Sequence, residues 1–208
     1  MPGCEDHWEE NYSVRGPLWG GAVHSLPDLP CQAWVLELGC GNGKTLSAMI
    51  RRGWNVTALD LSPRAIELSR QIITCGQVAN LAVADACQMP FCAGSFDAVF
   101  AFHLLGHLSE MDRILARQEL SRVIRAGGHI FFRDFSMLDF RYGRGKEIEP
   151  GTFLRGTGIR THYFSGKEVL DLFTGFVAES LETTTWRMRV KGTEYMRSEI
   201  SAVLVKKT

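Results

Sequence analysis

Val35-Leu36-Glu37-Leu38-Gly39-Cys40-Gly41-Asn42-Gly43 is an apolar run of strand length that ends in glycines at every second position. Beyond it, residues 44–52 put Leu46, Met49 and Ile50 on one side of a helix. A strand that runs through glycines into a helix lets the backbone approach a ligand and leaves the first helical N–H groups free to bind it. A merely tight connection is the other reading of such a turn. Spacing tests the nucleotide loops. The dinucleotide fingerprint Gly-x-Gly-x-x-Gly needs glycine at position 44, which is Lys44. A phosphate loop needs glycine at position 38, which is Leu38, although Gly43-Lys44-Thr45 would suit its end. Neither register fits.

Outward from this loop the chain alternates strand-like and helix-like segments, starting with a strand over 33–38. Residues 55–59 read as a second strand, and Ser62-Pro63 then starts a helix, because serine caps and proline suits the first helical position. That helix continues through Ala65, Ile66, Leu68 and Ile72. Strands follow over 81–84 and 96–102, then an amphipathic helix over 111–125 with Ile114, Leu115, Leu120, Val123 and Ile124 apolar. Gly127-Gly128 is expected to break it before a fifth strand over 129–132. Residues 134–161, rich in Arg and Gly and without periodicity, read as part of a long substrate-side loop reaching residue 165. A short helix over 167–173 and two long strands, 177–189 and 199–206, close the chain. The expectation is an α/β fold: a doubly wound, seven-stranded, mostly parallel sheet whose final strand is antiparallel. Residues 1–208 form a single domain on this reading, with residues 1–32 as an N-terminal flap carrying Trp8, Tyr12, Trp19 and a Gly20-Gly21 hinge.

Composition narrows the classes. With 45% hydrophobic and 22% charged residues the chain is that of an ordinary globular protein. No apolar run approaches the ~18 residues a membrane span needs, and the acidic N-terminus lacks the apolar core of a secretory signal. Six cysteines, Cys4, Cys31, Cys40, Cys75, Cys87 and Cys92, lie scattered with no Cys-x-x-Cys pair. They read as reduced thiols of a cytoplasmic protein and not as metal ligands. The 23 basic and 23 acidic side chains cancel, so no overall field marks a nucleic-acid binder. Residues 122–160 nevertheless hold 8 basic and 4 acidic side chains, which is either a solvated face or a meeting place for an anionic substrate.

Glu37-Leu38-Gly39-Cys40-Gly41-Asn42-Gly43 resembles the first motif of the class I S-adenosylmethionine (SAM) methyltransferases, which share a Rossmann-like fold. Two carboxylates stand where that family has them: Asp60 in Ala58-Leu59-Asp60-Leu61-Ser62 and Asp85 in Val83-Ala84-Asp85-Ala86. A strand-end carboxylate at Asp60 can accept hydrogen bonds from both ribose hydroxyls, and the resemblance implies that Asp85 meets the adenine amino group. Ser95-Phe96-Asp97-Ala98-Val99 and Ala126-Gly127-Gly128-His129-Ile130 are similar to the family's fourth and fifth strands. The resemblance covers residues 33–135 and implies SAM as cofactor, S-adenosylhomocysteine as product, and no metal. It implies cofactor-binding roles for Glu37, Gly39, Cys40, Gly41, Asn42, Gly43, Asp60, Leu61, Asp85, Ala86, Phe102 and Trp19.

A second resemblance lies further on. Phe132-Arg133-Asp134-Phe135, then Phe153-Leu154-Arg155-Gly156-Thr157-Gly158-Ile159-Arg160 and Tyr163-Phe164-Ser165, resemble segments of the tRNA 3-methylcytidine methyltransferases. The chain departs from that family at Thr157, where a carboxylate is lost, at His162, and in Phe102-His103-Leu104-Leu105-Gly106-His107. Its acidic residues 1–32 also contrast with that family's basic extension. A ring nitrogen needs no activation to attack a sulfonium, so alignment is the main requirement. Asp134 is the candidate to stabilise the cationic product, with Arg133 and His103 beside it. Arg155 and Arg160 are candidates to hold phosphate or a base edge, and Tyr163 to stack on a displaced base. Each has a plainer reading: an ion pair at a strand end for Arg133 and Asp134, core packing for Tyr163, a structural histidine for His103. Acceptor RNA or a small metabolite both suit the chemistry. A non-catalytic SAM-binding subunit whose protein partner supplies RNA binding is the alternative from another class.

Overall fold

In the computed structural model, which describes residues 4–18, 26–74, 78–156 and 158–207, the apolar run becomes β1 (Trp34–Leu38) at the centre of the sheet. On one side it pairs in parallel with β2 (Asn55–Asp60), which in turn pairs with β3 (Ala79–Val83). On the other side stand β4 (Phe96–Phe102) and β5 (Ile124–Phe135), also parallel. The last two strands, β9 (Phe176–Val190) and β10 (Thr193–Lys206), join so that β10 lies antiparallel between β5 and β9. The seven-stranded order is β3-β2-β1-β4-β5-β10-β9, the expected doubly wound sheet with its antiparallel final strand.

Both faces of the sheet are covered, which is why its inner strands read as continuous apolar runs. On one face Leu36, Leu38, Val99, Ile130 and Phe132 pack with Leu120 of α4 (Glu110–Val123) and Val169 of α5 (Gly166–Leu172). On the other, Val35, Val56, Phe100 and Phe131 pack with Leu46 and Met49 of α2 (Lys44–Ile50) and Ile66 of α3 (Pro63–Gln71). Serines start three of the helices as caps. Ser62, Ser109 and Ser165 each accept the backbone N–H three residues on, which satisfies an otherwise orphaned helical donor.

Two expectations are corrected. Gly127-Gly128 does not separate helix from strand: α4 stops at Val123, and both glycines lie inside β5. Gly128 is required there, because a Cβ would meet Ile124 Cγ1 at 2.8 Å and the Asp97 carbonyl at 2.9 Å. The segment read as irregular contains a second, three-stranded antiparallel sheet of β6 (Lys146–Glu149), β7 (Thr152–Leu154) and β8 (Arg160–His162). Strands of three or four residues are too short to show a period. The N-terminal segment, expected as a flap, includes helix α1 (Cys4–Arg15), with Tyr12 buried against Ala65 and Leu68 of α3. Trp19 and Gly20-Gly21 lie outside the described residues.

Candidate functional site

The chain order in the sheet reverses between β1 and β4, and at such a switch point the connections leave in opposite directions and open a crevice beyond the strand ends. The glycine loop sits there. Gly39, Gly41 and Gly43 take φ of +66°, +55° and +78°, a region closed to most side chains. At Gly43 a Cβ would lie 2.5 Å from Ile72 Cδ1, so a side chain there would also force Ile72 to shift. Asp60, at the end of β2, holds the loop. Its Oδ2 accepts the Gly41 N–H at 2.8 Å and its Oδ1 accepts the Ser62 N–H at 3.0 Å. Ser69 of α3 donates to the Gly41 carbonyl at 2.9 Å. Burial raises the Asp60 carboxyl above the ordinary carboxylate range even though these N–H groups act against it.

Glu37 lies beneath the same loop, 5% exposed, and its Oε2 has no hydrogen-bond partner among the described residues. Burial, with the Asp60 charge adding to it and a hydrogen bond to Thr45 opposing, pushes its carboxyl up to about 8. A buried carboxylate oxygen without a partner is costly, and a cationic ligand would relieve it. The other residues expected at the cofactor lie along the same strand ends. Asp85, just past β3, accepts the Cys87 N–H at 2.8 Å and is partly exposed, with Ala86 buried beside it. Leu61 and Asn42 are partly exposed, Cys40 is buried, and its N–H donates to the Leu59 carbonyl. Phe102, at the end of β4, carries the Arg133 guanidinium 4.6 Å above its ring. A loop whose glycines hold backbone where side chains would clash, ringed by three carboxylates, fits a ligand with a hydroxylated sugar and a positive charge.

The residues expected on the acceptor side divide into two groups. His103, in the left-handed region at φ +54°, stands at the crevice with its side chain about one-third exposed. Asp134 does not reach the open face. It is fully buried, its Oδ2 accepting the Gly106 N–H at 2.7 Å and its Oδ1 the Phe135 N–H at 2.9 Å. Burial works against its ionisation, but His103, His107 and the Gly106 N–H outweigh that and hold its carboxyl below the usual range. Glu199 of β10 is the carboxylate that lies at His103 Nε2, 3.4 Å away. Nothing local in Ser198-Glu199-Ile200 signals this; only the pairing of Glu199 with Phe135 brings it in.

Tyr163 is likewise a wall residue. It is 1% exposed and its ring lies among Phe135, Tyr142 and Phe153, so stacking on a displaced base would require it to leave the core. Arg155 is exposed in the turn that leads into β8, and Arg160 is partly exposed, with its carbonyl 2.7 Å from His107 Nδ1. Behind them Asp139 accepts from Arg141 and Arg197, both at 2.7 Å, in a buried network. Helix α1 spans the site's rim. Trp8 packs edge-on against His107 at 4.9 Å, and Glu9 accepts from Ser62 Oγ at 2.5 Å.

Comparison with known proteins agrees with this geometry. Residues 36–132 match the family described as a methyltransferase domain. The chain is 32% identical over 124 residues to a 2-methyl-6-phytyl-1,4-hydroquinone methyltransferase of Synechocystis, covering 59% of this chain and 37% of that protein. It is 29% identical over 152 residues to a tRNA N(3)-methylcytidine methyltransferase of Schizosaccharomyces pombe, covering 67% of this chain and 49% of that one. The chain thus spans half or less of the length of these curated relatives. Among solved structures, a SAM-dependent methyltransferase from Methanosarcina mazei superimposes with a TM-score of 0.74 at 24% identity, over 86% of this chain and 94% of that one. With the glycine loop and its strand-end carboxylates at the switch point of a seven-stranded sheet, residues 36–132 carry a methyltransferase domain, on a fold shared with SAM-dependent methyltransferases.

Proposed function

We propose that this chain transfers the methyl group of SAM to a ring nitrogen of an RNA base, as the name of the similar tRNA N(3)-methylcytidine methyltransferase suggests for that protein. The observation that carries the RNA reading is the length of the similarity to the tRNA relative. At 152 residues it runs well past the 97 residues of the matched domain, so it takes in part of the chain outside that domain. The second half of the sequence, from Arg133 through Ser165, resembles the same class.

When bound, SAM supplies an electrophilic methyl group on a sulfonium. The chain's own residues bind and orient it: the backbone of residues 39–43 beside the ligand, Asp60 and Asp85 toward its ribose and adenine, Glu37 as a buried anion for its positive charge. For a lone-pair nucleophile, holding the acceptor in line supplies most of the rate, for which about 7–11 kcal/mol is available in principle. Arg155 and Arg160, on the rim, are suited to phosphate, where a guanidinium forms paired hydrogen bonds. A small aromatic metabolite is the second reading, favoured by the balanced charge of the whole chain and by the likeness to the hydroquinone methyltransferase.

The test is an incubation with methyl-labelled SAM and host extract, divided into RNA, protein and small-molecule fractions. RNA from cells lacking this gene is the best acceptor pool. Label in RNA that digests to one methylated nucleoside supports the reading and identifies the atom. Label confined to small molecules overturns the RNA assignment.

A further inference from the structure

At the end of β4 the His103 backbone takes a left-handed conformation that is uncommon and strained for a residue with a Cβ. That turn lays the imidazole against the Phe135 ring, centroids 4.7 Å apart, between carboxylates from two neighbouring strands. Nδ1 lies 3.9 Å from Asp134 Oδ1 of β5, and Nε2 lies 3.4 Å from Glu199 Oε1 of β10. Asp134 is tied to the fold by two backbone N–H groups. Glu199 is 8% exposed and is delivered by the β5–β10 register. We propose that Glu199 is a positioning residue which, with Asp134 opposite, holds His103 as an imidazolium, and that the acceptor pocket is thereby fitted to a lone-pair nitrogen and not to a hydroxyl.

Two anions facing the two ring nitrogens favour the protonated ring. Other charged groups surround the trio. His107 in the turn Leu105–His107 opposes protonation of Asp134's partner ring by its own charge when protonated, and Arg133 of β5 lies near Glu199. Arg141 and Arg197 stand over the Phe135 ring at 3.9 and 5.3 Å. Burial lowers the affinity of His103 for its proton, but the carboxylates outweigh it and push the imidazole up to about 9. An imidazolium has no free lone pair, so it cannot take a proton from a hydroxyl acceptor near neutral pH. A ring nitrogen needs no base. Its lone pair forms the new N–C bond, the S–C pair stays on sulfur as a neutral thioether, and the positive charge passes to the acceptor. Two carboxylates around one imidazolium leave a net negative charge there for that cation. This inference rests on the methyltransferase reading, and the RNA assignment can fail without touching it.

The experiment is an NMR titration of the histidine ring signals in the full chain, with His103 assigned by His103→Asn. In the wild type His103 should titrate well above the ~6.5 of an unperturbed histidine. Glu199→Gln should lower its midpoint by about one pH unit or more, whereas Glu194→Gln, on the exposed part of the β9–β10 ribbon, should leave it unchanged. Thermal melts of each variant confirm folding. Where Glu199→Gln does not fold, raising the salt concentration on the wild type cannot replace it, and Glu199→Asp serves as the second variant, expected to give a smaller shift of the same sign. A wild-type midpoint near the unperturbed value, or one that Glu199→Gln leaves in place, overturns the clamp. With the acceptor in hand, a hydroxyl oxygen as the methylated atom overturns the specificity.

Discussion

Replacing Asp60 by asparagine separates what this carboxylate does for the ligand from what it does for the fold. In the wild type one oxygen accepts the Gly41 N–H and the other the Ser62 N–H. Asparagine keeps one acceptor oxygen but turns an NH2 group toward the second donor, and it removes the charge. Hydrogen bonds to a charged group contribute about 1.5–3 kcal/mol each, so SAM affinity should fall between about tenfold and 150-fold. Stability should move in a different way. Burial raises the Asp60 carboxyl above its ordinary range, so the folded chain binds that proton more tightly than the unfolded chain does. The sign is therefore the reverse of a salt-bridged aspartate: the ionised group opposes folding at neutral pH, and its penalty shrinks as pH falls. Asparagine removes that penalty while it loses one backbone partner, so the two changes oppose each other. The expected result is a Tm within about 4 °C of wild type, the shift that ~1 kcal/mol produces in a domain of this size, together with the loss of affinity. Calorimetric titration with SAM and a thermal melt, both at pH 7.5, measure the pair. A folded variant that binds SAM as tightly as the wild type refutes the ligand role, and a collapse in Tm with affinity kept shows that Asp60 serves the loop alone.

The remaining predictions concern the same loop and the wall behind it. If Glu37, pushed up to about 8, must ionise to meet a cationic ligand, SAM affinity should rise about tenfold per pH unit below that value and level off above it; a flat profile from pH 6 to 8.5 counts against this. Gly43→Ala should cost about 1–3 kcal/mol through overpacking against Ile72 and weaken SAM binding, whereas Gly16→Ala, at a similar φ but with open space around it, should cost less; equal melts for the two would refute the steric argument. Asp139→Asn should destabilise the fold by roughly 3–5 kcal/mol, because it strips a buried charge from Arg141 and Arg197. Burial raises the Asp139 carboxyl, but the two arginines and the Ser198 N–H more than reverse that, so its contribution is present above the unfolded carboxyl range and lost as pH falls through its lowered value. The wild type should accordingly lose stability on acidification faster than the variant, which paired melts at pH 7 and pH 4 would check.

The parts of this protein legible from sequence are those whose cause is local. The run from Val35 to Gly43 announces its strand, its left-handed turns and its helix within nine residues, since backbone sterics alone restrict those positions to glycine. Asp60 and Asp85 were legible because a strand end in a parallel sheet has one address, the crevice side. Ser62-Pro63 states its helix start in the same local way. What tertiary structure alone decided is set by pairings between distant segments. β6, β7 and β8 are held as strands by one another and not by any propensity of Lys146–Glu149 or Thr152–Leu154. Gly127 and Gly128 lie inside β5, in the irregular stretch between the pairing of Ile124 with Phe96 and that of His129 with Ala98, against a local signal to break. Asp134 and Tyr163 carry side chains that suit a substrate face, yet packing turned both inward. Glu199 reached His103 only because β10 inserts between β5 and β9, a choice of register made by the alternating burial of Ile200, Ala202 and Leu204.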